Sequence, residues 1–334
     1  MKPPLRIAIT LGDLNGIGPE VTLKALRRLG GVPGVQFVLI GNPAALAPHL
    51  GHGAPLPRGL LLWDPVPQLA PRYRPGRAAA DAARAAAAWI LFAARGCQAG
   101  LFDALVTAPI SKEGFQCAGL RFPGHTEMLA ALTGVPRFAM LLMGGRLRVV
   151  LATRHLPLAR VPAALTKPAI VEAIRLTDEG LRWLGVRRRR IAVCGLNPHA
   201  GDGGLLGREE VEGIAPAIHA ARQAGLTLIG PVSADVVFYQ ALHGQYDAIV
   251  AMYHDQGLGP LKMLAFDSGV NLTLGLPIIR TSPDHGTAYD IAGQDCANPA
   301  SMVAALQWAI RLARRKNPWH KSTAGREEET SKQG

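Results

Sequence analysis

An α/β fold built on mostly parallel sheets is what this sequence predicts, and three observations predict it. Short β-branched runs alternate with helical segments along nearly all of the 334 residues, the pattern of successive β-α units. The strand candidates are continuous apolar runs rather than alternating ones, as strands buried on both faces are. Hydrophobic residues make up 49% of the chain and charged residues 18%, enough to bury a core of one or two domains.

The elements follow in order. Residues 6–10 are the first strand, running into a Gly12-Asp13 turn. No small-residue cleavage site precedes the turn, so the segment reads as a strand and not as a signal peptide. Gly12-Asp-Leu-Asn-Gly16-Ile-Gly18-Pro19-Glu20 joins it to a helix at 19–29 with proline at its first position. A strand at 36–40 follows, then an alanine-rich helix at 76–95 that Asp81 and Arg84 interrupt. No run reaches the roughly 18 apolar residues of a membrane span. Residues 104–107 form a strand, and Gly124-His125-Thr126-Glu127 opens a helix. Strands at 138–143, 147–152, 190–195, 248–252 and 269–274 alternate with helices at 168–184, 209–224, 257–266 and 299–316. A first sheet is expected up to about residue 132 and a second from 136 to about 266, with a cleft between two lobes. The polar tail from 317 is expected to be disordered.

Net charge is +12, with one basic run at 187–190. Such a run usually forms a solvated face, and no nucleic-acid motif accompanies it. A basic field also suits an enzyme that attracts anionic substrates. Cys97, Cys117, Cys194 and Cys296 are scattered without a C-x-x-C pair. That pattern fits reduced thiols in a cytoplasmic protein.

Three histidines share one placement. His155, His199 and His254 each stand just past the carboxyl end of a predicted strand, where open α/β sheets build their sites. A lone histidine there more often caps a turn; three in equivalent places favour a divalent metal with coordination positions left for substrate. Turn chemistry accounts for the glycines around them but not for the histidines or Gln256. The Gly12–Glu20 turn is neither G-x-G-x-x-G nor a P-loop, so no Rossmann fingerprint is present. His125 and Thr126 offer an imidazole, a hydroxyl and backbone amides at a helix start, where simple capping competes with function. Lys262, Asn271 and Arg280 together would suit a phosphate, although spacing alone cannot bring them together.

With these residues in hand, the chain resembles the 4-hydroxythreonine-4-phosphate dehydrogenase family of vitamin B6 synthesis over nearly its whole length. The matching stretches are 12–20, 105–112, 124–127, 155–158, 197–204, 253–262 and 269–293. Tyr253-His-Asp-Gln-Gly257 and Gly275-Leu-Pro-Ile-Ile-Arg-Thr-Ser-Pro-Asp-His-Gly-Thr-Ala288 are the most specific. Two stretches are also similar to the isopropylmalate and isocitrate dehydrogenase group, whose loop corresponding to 284–293 holds the adenosine half of NAD. The resemblance implies two α/β/α domains: 1–132 with about 275–316, and about 133–274.

The resemblance further implies a homodimer with the metal shared between subunits, His155 and His199 coming from one chain and His254 from the other. It puts substrate contacts on His125, Thr126, Lys262, Asn271 and Arg280, and cofactor contacts on Asp284, His285, Gly286, Thr287, Ala288 and Asp290. The implied reaction is oxidation of 4-phosphooxy-L-threonine by NAD or NADP with zinc, cobalt, magnesium or manganese. Its product, 2-amino-3-oxo-4-phosphooxybutanoate, decarboxylates to 3-amino-2-oxopropyl phosphate. Candidates for the proton acceptor are His125, Lys262 and Asp235.

The family commonly has Asp-Pro-Ala-Gly where this chain has Asp13-Leu-Asn-Gly16, and valine at Pro283. These departures leave open related substrates: 4-phosphoerythronate, 4-phospho-D-threonate or a cis-dihydrodiol. A metal-dependent phosphatase or aldolase and a basic nucleic-acid-binding module are the rivals from other classes. The expected partners are a second copy and a small phosphorylated substrate, with no nucleic acid and no membrane.

Overall fold

The computed structural model describes residues 3–51, 55–122 and 124–320. Its strands are β1 (Leu5–Thr10), β2 (Val35–Ile40), β3 (Leu61–Trp63), β4 (Ala104–Thr107), β5 (Ala139–Gly144) and β6 (Leu147–Leu151). Then come β7 (Ile191–Cys194), β8 (Leu228–Val232), β9 (Ala248–Ala251), β10 (Val270–Leu274) and β11 (Arg280–Pro283). They form one sheet in the order β3-β2-β1-β4-β11-β10-β5-β6-β9-β7-β8. The two expected sheets are therefore one. Strands β1 to β4 and β11 run parallel to each other, as do β6, β9, β7 and β8. Antiparallel pairings of β11 with β10, β10 with β5 and β5 with β6 join the halves, so the two parallel sets run in opposite directions.

Continuous apolar runs made the inner strands legible; the three unpredicted ones lack that signature. β3 is a three-residue edge strand with all its residues exposed. β8 carries Gly230-Pro231 in its middle, and β11 is Arg-Thr-Ser-Pro yet buried throughout. The first core layer gathers the Gly18–Leu29, Ala80–Gln98, Lys167–Leu184 and Ala300–Ala313 helices around buried residues such as Trp89, Ile9, Leu105 and Leu272. The Ala300–Ala313 helix packs on β11, β4 and the Gly18–Leu29 helix, which brings the end of the chain back onto its beginning. On the opposite face of the second half lies another core layer, with Leu142, Val149, Ile249, Leu258 and Leu261. The His254–Ala265 helix covers it, resting on β5, β6 and β9. That helix starts three residues earlier than expected and contains Pro260. The helix expected at 209–224 begins with a π turn, Glu210–Ile214, before its α segment. The Ala234–Leu242 helix had no clear sequence signature.

The tail also departs from expectation. Asn317 is buried and donates to the Leu276 carbonyl at 3.2 Å, and the Trp319 indole donates to Glu179 at 2.6 Å. The packed chain thus reaches His320, and the remainder of the expected tail, 321–334, lies outside the described residues. Among the described residues no helix is long and apolar enough to cross a membrane.

The junction strand β10 should be where the fold is most sensitive. Leu272 is fully buried there, between β11 and β5. Leu272→Ala is expected to cost about 2–5 kcal/mol, read as a lower urea midpoint with an unchanged m-value.

Candidate active site

Sheet register builds the floor of the site. Cα partners in adjacent strands point their side chains to the same face, and every second residue along a strand does too. Leu105 pairs with Arg280, and Asn271 pairs with both Ser282 and Leu142. Thr107, Arg280, Ser282, Asn271, Thr273 and Met140 therefore share one face at the junction of the two halves. Above them lies a pocket of about 400 Å³, walled by the starts of the His125–Thr133 and His254–Ala265 helices.

Arg280 is the most unusual group in it. The side chain is 2% exposed, yet among the described residues no carboxylate lies within ion-pair distance. Its Nε and Nη2 donate to the Thr107 hydroxyl at 3.1 and 2.8 Å, and Nη1 donates to the Thr273 hydroxyl at 3.3 Å. Burial pulls the guanidinium down to about 10, and Glu127 only partly opposes it. Two neutral hydroxyls orient this cation without neutralising it, so the pocket presents a buried positive charge to whatever enters. Lys262 and Asn271 line the same space. The sequence offered no spacing that would join these three, and the fold brings them together.

Three further polar atoms wait there. His125 Nε2, Asn271 Oδ1 and His285 Nε2 are buried and have no hydrogen-bond partner among the described residues. Leaving such an atom alone costs about 1–3 kcal/mol, and a bound polar ligand removes that cost. Burial, followed by the Arg280 charge, holds the His125 imidazole well below its usual range, while a hydrogen bond to the Ala108 backbone opposes the shift. His125 is thus neutral near pH 7, with one ring nitrogen free. Thr126 is buried beside it. Asp284 is raised by burial, opposed by the nearby Lys262 and His254.

His155 and His254 lie together within one chain, ring centroids 5.4 Å apart, and both line the pocket. Partial burial, then Lys112, lowers His155, which favours the neutral imidazole a metal needs. His254 Nδ1 is 2.7 Å from the Asp255 carboxylate, an arrangement that orients the ring and leaves Nε2 available to a ligand. His199 does not line this pocket; it is exposed, on another loop. Within one chain the fold thus sets His155 beside His254 and leaves His199 apart from both. Asp235 is likewise outside the pocket, close enough to His199 for their charges to interact.

The His199 loop is costly and heavily braced. His199, Ala200 and Asp202 all have left-handed φ values of 52, 54 and 42°, which favour glycine and cost non-glycine residues about 1 kcal/mol or more each. Buried Glu210 accepts from the Leu196 and Asn197 amides at 2.7 Å each and from Asn197 Nδ2 at 2.9 Å. A Cβ on Gly201 would meet the Glu210 carboxylate at 2.5 Å, so that position must stay bare. Gln256 is explained as well. It accepts from Met252 N at 2.7 Å and donates to the Gly195 carbonyl at 2.8 Å, tying the β9 loop to the β7 loop.

Of the expected cofactor residues, Asp284, His285 and Gly286 line the pocket. Thr287, Ala288 and Asp290 lie outside its lining; there the chain leads away to the first turn, where Ile17 N donates to the Thr287 carbonyl at 2.9 Å. Tyr289, which the sequence reading passed over, donates its hydroxyl to Asp13 at 2.6 Å. Thr107, Lys112, Glu127 and Ser282 were also missed as lining residues; single polar residues at strand and helix ends carry no periodic signal. A separate group of ligand-type side chains, Glu20, His49 and Asp295, brings donor atoms within 4.8 Å of one another. The Lys24 ammonium stands 2.8 Å from Glu20 and 3.1 Å from Asp295, where a metal cation would go.

The lowered His125 makes a pH prediction. In the unfolded chain the imidazole takes a proton near 6.5, whereas in the pocket it resists protonation. Its favourable contribution is therefore complete above about pH 6.5 and is lost as the pH falls further. In His125→Gln, melting temperature should fall less steeply than in wild type between about pH 6.5 and pH 5. Parallel curves would show that His125 titrates normally.

Comparison with known proteins bears on this site. Residues 56–309 match the family model described as "Pyridoxal phosphate biosynthetic protein PdxA". A 4-hydroxythreonine-4-phosphate dehydrogenase of Geobacter metallireducens is 48% identical over 93% of this chain and 96% of its own length. A putative D-threonate 4-phosphate dehydrogenase of Bradyrhizobium diazoefficiens is 45% identical over 92% of this chain and 96% of its own. The crystal structure of 4-hydroxythreonine-4-phosphate dehydrogenase from Klebsiella pneumoniae superposes with a TM-score of 0.80 at 40% identity, covering 92% of this chain and 99% of that one. The chain belongs to the PdxA family of pyridoxal phosphate biosynthetic proteins.

Proposed function

We propose that this protein is a dehydrogenase that oxidises the secondary alcohol of 4-phosphooxy-L-threonine, using NAD or NADP and a divalent metal ion. The observation that carries the proposal is Arg280, a buried guanidinium without a carboxylate partner, in the same pocket as neutral His125 and the His155–His254 pair. A phosphate at Arg280 supplies the missing negative charge and can take a bidentate fork. Lys262 and Asn271 add a second cation and an amide at the same end. With the phosphate fixed there, the alcohol is held in the same pocket as the unpartnered His125 Nε2, which would take the hydroxyl proton. Of the three candidate acceptors, His125 is favoured because it is neutral and has a free nitrogen.

The residues also fit the two groups the reaction needs. His155 and His254 offer two neighbouring imidazoles, one oriented by Asp255. A third ligand, His199, is exposed on a rigidly held loop whose neighbours Leu205 and Leu206 are 83% and 47% exposed. On the other side, Met263 and Phe266 are 83% and 72% exposed near the His254 helix. Apolar surfaces of this kind support a homodimer in which His199 completes the partner's metal site. When bound, the metal supplies a Lewis acid that acidifies the alcohol and polarises the new carbonyl, and the dinucleotide supplies the hydride acceptor. Asp284, His285 and Gly286 line the pocket, which supports the 284–293 loop as the seat of that dinucleotide. The oxidised product is a β-keto acid, whose loss of carbon dioxide yields 3-amino-2-oxopropyl phosphate. The division into lobes at about residues 133 and 275 belongs to the same proposal, with the pocket between them.

The Bradyrhizobium relative's name favours one second reading, 4-phospho-D-threonate as substrate. It keeps the phosphate at Arg280, and turnover of both substrates, followed by NADH absorbance, separates the two.

Two outcomes test the proposal. Arg280→Lys keeps the charge but loses the fork. It should lower kcat/KM for the phosphorylated substrate by about a hundredfold, with little change in dinucleotide affinity. An unchanged kcat/KM would remove Arg280 from the site. Mixed dimers test the shared metal. Chains carrying His254→Ala paired with chains carrying His199→Ala should regain one complete site. Chains carrying His155→Ala paired with chains carrying His254→Ala should stay inactive, because the fold places both ligands in one chain. Recovery of the second mixture would reverse the assignment.

A further inference from the structure

The first turn of this chain carries an amide side chain that is fully buried and fully engaged. Asn15 lies in the turn after β1, and its exposure is 0%. The side-chain oxygen accepts from Arg74 N at 2.6 Å, and the side-chain amide donates to the Arg77 carbonyl at 3.1 Å. Its backbone carbonyl accepts from Gly76 N at 2.9 Å. All three bonds go to one short strap, residues 74–77, some sixty positions away in sequence. Two of them need an amide side chain, with a donor and an acceptor on one planar group.

The strap in turn presses on the 284–293 loop. Gly76 has φ +78°, and a Cβ there would lie 2.9 Å from the Tyr289 carbonyl oxygen. From the other side, a Cβ on Gly293 would come within 3.1 Å of Pro75 and 3.4 Å of the Tyr73 hydroxyl. Asp13, two residues before Asn15, receives the Tyr289 hydroxyl at 2.6 Å and the Asn15 amide at 2.9 Å. Gly16 completes the grip, since a Cβ there would strike the Thr287 carbonyl oxygen at 2.7 Å. One five-residue turn thus holds the loop directly, through Asp13 and Gly16, and holds a strap against its back, through Asn15.

We infer that Asn15 is a positioning residue for dinucleotide binding, fixing the 284–293 loop in its binding shape through the 74–77 strap. The inference rests on the reading that this loop receives NAD or NADP. An alanine at 15 leaves the Asp13 contact and the backbone bond to Gly76 in place but removes the two side-chain bonds that fix the strap, so the ligand must supply more of the loop's order and affinity falls by that ordering cost.

The test is direct titration of NADH by fluorescence into wild type, Asn15→Ala and Gly76→Ala. The second variant pushes the strap from the loop without touching Asn15, and it decides the matter if Asn15→Ala does not fold. In both variants the Kd for NADH should rise on the order of tenfold. The KM for the phosphorylated substrate and kcat at saturating dinucleotide should stay at wild-type values. In Asn15→Ala the Arg74 amide, which loses its acceptor, should exchange faster with solvent deuterium. Faster exchange with an unchanged Kd in both variants would overturn the inference, since the strap would be free and binding indifferent to it. Failure of the wild-type chain to bind either dinucleotide would overturn the reading of the loop, and the inference with it.

Discussion

A single buried cation organises this molecule. Arg280 sits at the start of the short strand β11, held by two threonine hydroxyls and by no carboxylate among the described residues. An unpaired charge taken out of water is expensive, by several kcal/mol even after the surroundings relax. Folding tolerates it because β11 is clamped between β4 and β10 and covered by the Ala300–Ala313 helix. The same clamp joins the two halves of the sheet. The position that holds the fold together is therefore the position that stores the unmet charge, and the unpartnered atoms of His125, Asn271 and His285 gather around it.

The reversal of strand direction at this junction has a second consequence. Three antiparallel pairings let helices from both halves, His125–Thr133 and His254–Ala265, begin over the same patch of sheet. His155 and His254 then meet from two different strand ends. His199, from a third, is carried by a left-handed loop to the surface, where exposed leucines accompany it. Such a run of left-handed residues is costly, and three hydrogen bonds to Glu210 offset it.

Much of this was legible in the residues, and the limits have physical causes. Strands such as β4 and β9, buried on both faces, announce themselves as unbroken apolar runs, and their ends pointed to His254 and its neighbours. The strand carrying Arg280 did not, because Arg-Thr-Ser-Pro reads as a turn although the fold buries all four residues. Lys262, Asn271 and Arg280 were suspected of converging, but convergence is a property of register across β10 and β11, which spacing does not contain. That His155 meets His254 within one chain was hidden for the same reason: β6 and β9 are neighbours in the sheet and β7 lies beyond them, which sequence order does not reveal. Gln256 looked functional and proved to be a brace between loops. Asn15 stood out only as one of the departures that left the substrate open, and in the fold it holds three bonds to residues 74–77.

The claim at the centre of this account is that the phosphate of the substrate is the missing partner of Arg280. The most direct measurement compares purified enzyme, dinucleotide and metal on 4-phosphooxy-L-threonine and on the same compound without its phosphate. Binding energy from that remote group is expected to appear in turnover as well as in affinity. The account predicts that kcat/KM falls by about a thousandfold or more without the phosphate. Equal kcat/KM for the two compounds would contradict it, whatever else the pocket binds.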